Sequence, residues 1–106
     1  MADKEGSMTL RVLTPTGVSA ETPCDSVRLT LRDDRNGRGG GSIGIRKGHA
    51  DAVLALGRGP VRASLGSETV FRAEVEAGFA SVKDNVVTVI TDSARIEGQD
   101  SAGEEE

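Results

Sequence analysis

Apolar and polar residues alternate with a period of two through much of this chain. Val27, Leu29 and Leu31 are interleaved with Arg28, Thr30 and Arg32; Val61, Ala63 and Leu65 with Arg62 and Ser64; Phe71, Ala73 and Val75 with Arg72, Glu74 and Glu76. Successive side chains of a strand point to opposite faces, so each run predicts a strand buried on one face only. The run Val86-Val87-Thr88-Val89-Ile90 is apolar at nearly every position and predicts a strand covered on both faces. Turn signals separate the runs: Thr14-Pro15-Thr16-Gly17, Gly57-Arg58-Gly59-Pro60, Leu65-Gly66-Ser67-Glu68 and Asp84-Asn85. Ala50–Leu56 holds good helix formers. Gly48 on one side and Gly57, Gly59 and Pro60 on the other confine it to about two turns, too short for a stable helix, and it is read as a strand. Short strands, regular turns and no amphipathic helix of useful length predict an all-β sandwich or barrel.

Composition narrows this further. With 106 residues there is room for one ordinary domain and not for a Rossmann unit with a separate substrate domain. Two phenylalanines and no Trp or Tyr leave the core to Val, Leu, Ile and Ala, and leave no aromatic platform for single-stranded nucleic acid. The net charge of -4 is unevenly spread, because residues 97–106 hold five acids and no base, whereas the other 96 residues hold 13 bases and 12 acids. That acidic tail is too polar to bury itself and is expected to be disordered, as is the segment 1–7. Cys24 is the sole cysteine, so no internal disulfide forms, and it reads as a small buried or half-buried side chain. No apolar run approaches the length of a spanning helix, and the start of the chain lacks a signal-peptide pattern.

The segment GRGGGSIGIRKGHADA, residues 37–52, is where chemistry would be sought. Gly39, Gly41 and Gly44 fit the dinucleotide spacing G-x-G-x-x-G. A phosphate cradle also needs a strand feeding the turn, a helix opening after it and an acid some 20 residues on. Ile43-Gly44-Ile45 followed by Arg46-Lys47-Gly48 cannot begin a good helix, and no GK[ST] is present. A flexible surface loop over Asn36–Gly41 is the plainer expectation. Residues 32–47 carry five bases and two acids, a basic segment without the density or motif of a nucleic-acid site. His49 is the only histidine and has no visible nucleophile or metal partner, so it reads as a structural or interface residue. Asp33 and Asp34 are adjacent, would diverge in a strand, and read as turn residues. No catalytic residue, cofactor or metal is assigned.

Taken together, Gly41-Ser42-Ile43-Gly44-Ile45-Arg46-Lys47-Gly48-His49-Ala50 resembles the G-E-L-G-I-L-P-G-H-A loop of the epsilon subunit of F-type ATP synthases. Glu76–Ile90 is similar to that family's strand pair v-x-G-G-F-v-e-V-x-x-N-x-V-T-V-L, and Leu10–Pro15 to its first strand; the correspondence runs from about Met8 to Arg95. The resemblance implies a flattened two-sheet β-sandwich of eight to ten short strands over residues 8–96. It implies a non-catalytic rotor subunit that links the gamma subunit to the polar loops of the c-ring, peripheral on the cytoplasmic face of a bacterial membrane. Ser42, Ile43, Gly44, Ile45, Arg46, Lys47, Gly48 and His49 would form the contact, with Gly44 and Gly48 turning the backbone, Ile43 and Ile45 anchoring it and His49 facing gamma. Three departures from the family pattern matter. Ser42 replaces a glutamate and Arg46-Lys47 an apolar residue and a proline, giving a basic, less rigid loop. Asp51 replaces a proline, which resembles the divergent, alternative F-type ATPases. The family's C-terminal helical hairpin has no counterpart in Glu97–Glu106, so neither ATP binding nor helix-based inhibition is expected. A competing expectation is an independent β domain that binds a nucleotide or other small ligand through Gly39–His49.

Overall fold

The computed structural model describes residues 7–32 and 39–99, and within them the alternating runs become strands. In chain order these are β1 (Met8–Thr14), β2 (Gly17–Cys24), β3 (Ser26–Arg32), β4 (Gly39–Arg46), β5 (Ala52–Leu56), β6 (Gly59–Leu65), β7 (Glu68–Val75), β8 (Gly78–Lys83), β9 (Val86–Thr91) and β10 (Ala94–Gln99). No helix occurs among the described residues. Within the segment Ala50–Leu56, residues Ala52–Leu56 form strand β5, as the flanking glycines require.

One layer is ordered β10-β7-β6-β3-β4 and the other β5-β8-β9-β1-β2. Strand β3 belongs to both layers: Val27 is flanked by Ile45 of β4 and Ala63 of β6, whereas Leu31 pairs with Leu56 of β5. Every pairing is antiparallel except β1 with β9, which runs parallel with Val12 opposite Val89. The inner faces meet in a core of Val27, Leu29, Ile45, Val61, Ala63, Phe71, Ala73 and Val75 from the first layer. Leu10, Val12, Cys24, Leu56, Ala80, Val82, Val87 and Val89 answer them from the second. The result is a two-layer sandwich whose interior depends on aliphatic side chains, as the scarcity of rings required.

Asp84 and Asn85 both have positive φ, 51° and 64°, and close β8 onto β9 as a two-residue hairpin of the type that matches strand twist. Two expectations need correction. Strand β9 is not covered on both faces: Val87 and Val89 point into the core, but Ile90 is half exposed on the far side. The acidic run also begins as strand, since β10 continues to Gln99. Glu97 pairs with Arg72 at 3.4 Å, while Gly98 and Gln99 pair with Arg72 and Phe71 along β7. Residues 1–6, 33–38 and 100–106 lie outside the described residues, and with them the readings of Asp33-Asp34 as turn residues and of a disordered tail beyond Gln99.

Candidate functional site

Residues 42–49, read from the sequence as a contact loop, are divided between a strand and a turn. Ser42, Ile43, Gly44, Ile45 and Arg46 form the second half of β4, paired with β3 from Thr30↔Ser42 to Ser26↔Arg46. The alternation of a strand then separates them. Ile45 is fully buried and Ile43 packs against the core, which is the anchoring expected of both. Ser42, Gly44 and Arg46 face outward, and the Arg28 guanidinium reaches across to donate to Ser42 Oγ at 3.1 Å. At about 3.3 Å per residue, Ser42 and Lys47 sit roughly 17 Å apart.

The turn itself is Lys47-Gly48-His49. Gly48 has φ 83°, a backbone geometry glycine reaches without strain, and donates its N–H to Asn85 Oδ1 at 2.8 Å. His49 N–H donates back to Arg46 O at 3.1 Å, and the half-buried imidazole Nδ1 lies 2.7 Å from Ala50 O. Asn85 also accepts, through its carbonyl, from Thr9 N–H at 3.0 Å. One residue of the β8–β9 hairpin thus ties together the start of β1 and the turn after β4. Gly44, expected to turn the chain with Gly48, instead lies in extended β4 opposite Arg28; the correction follows from its ladder pairing. The same pairing removes the cradle: Gly39, Gly41 and Gly44 are strung along a strand, and no helix N-terminus follows them.

A second surface was not foreseen. On the outer face of the β5-β8-β9-β1-β2 layer, Ala55 is opposite Phe79, Phe79 opposite Ile90, Ile90 opposite Leu13 and Leu13 opposite Val18. Five apolar side chains therefore run in a row across five strands, a span of about 19 Å at normal strand spacing. Phe79, Ile90 and Val18 are 52%, 50% and 55% exposed, and Val53 beside the row is 73% exposed. A contiguous apolar strip of this kind on a small domain is a candidate contact surface. Each residue looks unremarkable in its own segment, because the row exists only through the pairing of strands distant in sequence.

Among the described residues, no group of three His, Cys, Asp or Glu side chains could hold a metal ion. Cys24 is fully buried in the core, as expected. Burial pushes its thiol up from 9.0 to about 11, and the neighbouring Asp25 charge acts in the same direction. A thiol held in that form is a packing group, not a nucleophile.

Against known families, residues 7–97 match the model described as ATP synthase, Delta/Epsilon chain, beta-sandwich domain. The chain belongs to this family. The delta/epsilon sandwich assignment agrees with the extent of the strands, β1 to β10. A relative from Desulfitobacterium hafniense, named ATP synthase epsilon chain, is 32% identical over 89 residues, covering 84% of this chain and 61% of the relative. The chain spans 40% to 61% of the length of the curated relatives it matches. Among solved structures, a chain of the Euglena gracilis mitochondrial ATP synthase (OSCP/F1/c-ring) superimposes with a TM-score of 0.66 at 22% identity, covering 85% of this chain and 53% of that one. A chain of the Tetrahymena thermophila mitochondrial ATP synthase central stalk/c-ring gives 0.61 at 17% identity, covering 83% and 65%. At these identities both establish the fold of the delta/epsilon sandwich and nothing finer.

Proposed function

We propose that this chain is a non-catalytic subunit of the rotor of an F-type ATP synthase, linking the gamma subunit to the c-ring and so coupling ion translocation to ATP synthesis or hydrolysis. It sits at the periphery of a bacterial membrane, on the cytoplasmic face. The observation that carries this reading is the apolar row Ala55–Phe79–Ile90–Leu13–Val18 on the outer face of one layer. A free domain gains nothing from keeping that strip in water, and a subunit held permanently against a partner gains its burial. The relatives' name, ATP synthase epsilon chain, and the stalk and c-ring context of the structural neighbours supply the kind of partner.

In this reading gamma covers the apolar row, a contact suited to a long-lived union. The turn Lys47-Gly48-His49, with Arg46 before it, meets neighbouring rotor loops at the end of the sandwich where Asn85 pins it. Ser42, Ile43, Gly44 and Ile45 place that turn through β4, the isoleucines from inside. Because Arg46 and Lys47 make the turn basic, the c loop that meets it is acidic or neutral, since like charges brought together destabilise a contact. Co-purification of the chain with gamma and the c-ring from the same source tests the proposal. Retention through size exclusion supports it, and stable absence from that complex, or a strongly basic c loop, counts against it.

A further inference from the structure

Independently of the rotor reading, the opposite face of the molecule carries its own constellation. On the outer side of the β10-β7-β6-β3-β4 layer, Arg28 is opposite Arg62, and Arg62 is opposite Arg72. Arg46 stands one step along, opposite Ser26, which is itself opposite Ser64. Like charges directly opposite one another across strands are destabilising, so two consecutive Arg–Arg pairings are an expense of this face. Arg72 is compensated by Glu97 at 3.4 Å. Arg28, Arg46 and Arg62 take part in none of the ion pairs among the described residues, which are Arg11–Glu21, Arg58–Glu76 and Arg72–Glu97.

These three arginines line one depression of about 190 Å³, whose remaining walls include Ser26, Ser64 and Thr69. Among the described residues, no carboxylate lines it. Gly44, opposite Arg28 on β4, borders it, and a Cβ there would meet Arg28 Nη2 at an ordinary contact distance of 3.6 Å. We propose that this depression binds a phosphate group. Guanidinium groups present paired N–H donors that match phosphate oxygens in a bidentate manner, hydroxyls complete the shell, and a dianion relieves the repulsion that the pairings create. The volume accommodates one phosphate group.

The test is titration of the full chain with inorganic phosphate and, separately, pyrophosphate, following the arginine Nε–Hε resonances at constant ionic strength set with chloride. Saturable shifts confined to Arg28, Arg46 and Arg62 are expected. Saturation by orthophosphate identifies the free ion as sufficient; saturation by pyrophosphate alone identifies the end of a phosphate chain. Arg28→Gln and Arg62→Gln should each weaken binding by about tenfold, as loss of a charge-assisted contact does, and Arg58→Gln should leave it unchanged. Shifts that grow linearly, that chloride reproduces, or that Arg58→Gln alters equally overturn it.

Discussion

Replacing Phe79 and Ile90 together by threonine separates the role of the apolar row from its share in stability. Full burial of a Phe or Ile side chain is worth about 1.5–3 kcal/mol. These two are 52% and 50% exposed in the free chain, so half of each remains to be gained from a partner. That is roughly 1 kcal/mol per side chain, and the double variant should bind gamma about 30-fold more weakly, the factor that about 2 kcal/mol represents. The free sandwich gives up a comparable amount, softened because threonine suits a strand, and stays folded within a typical stability of about 5–15 kcal/mol. Isothermal titration of gamma into wild type and variant measures the ratio, with circular dichroism to verify the fold and Ser67→Ala, on the β6–β7 turn, as the neutral control. Unchanged affinity in a folded double variant would refute the assignment of this row to the interface.

Asn85→Ala removes both a residue tolerant of φ 64° and the acceptor of the Gly48 N–H; a loss of about 2 kcal/mol is expected, read as a melting temperature lower by roughly 10 °C. Asn85→Gly keeps the backbone geometry and should lose less, while amide exchange at Gly48 accelerates in both. Gly78→Ala forces a Cβ onto the Ile90 carbonyl oxygen and to 3.1 Å from Thr91 Cα, so the urea midpoint should fall by an amount equivalent to about 1–3 kcal/mol. The Cys24 thiol, raised from 9.0 to about 11, keeps its proton more firmly in the folded state; its stabilising contribution is therefore full below pH 9 and declines as pH rises from about 9 to about 11. Cys24→Ala should flatten that part of the stability profile, and alkylation of native Cys24 at pH 8 should be slow until denaturant exposes it.

Where a residue's fate depends on its own segment, the sequence was readable. Alternation located β3, β6 and β7, glycine punctuation made Ala52–Leu56 a strand, and the turn pair Asp84-Asn85 was found with its positive φ values to follow. Where fate depends on pairing, it was not. The outward half of β9 looked like core because Ile90 is apolar, yet its neighbours Phe79 and Leu13 come from strands 11 and 77 positions away, and only the register makes the three a surface. Glycine usually marks a turn, which is what its residue type suggests for Gly44; the ladder to Arg28 keeps it extended. The arginine pairings were hidden for the same reason, since Arg28, Arg62 and Arg72 each occupy an ordinary solvent position in their own strand. The role of Asn85 in pinning Gly48 had a trace in the sequence, an Asn in the resembling strand pair, without any indication of its partner.

Hydrogen–deuterium exchange of the full chain, alone and with gamma added, shows whether gamma covers the apolar row. Protection should appear across β8, β9 and β1, where Phe79, Ile90 and Leu13 form the row. The outer face of β7 and β6 should exchange as before. Unaltered exchange in β8 and β9 within a complex that demonstrably forms would contradict the account.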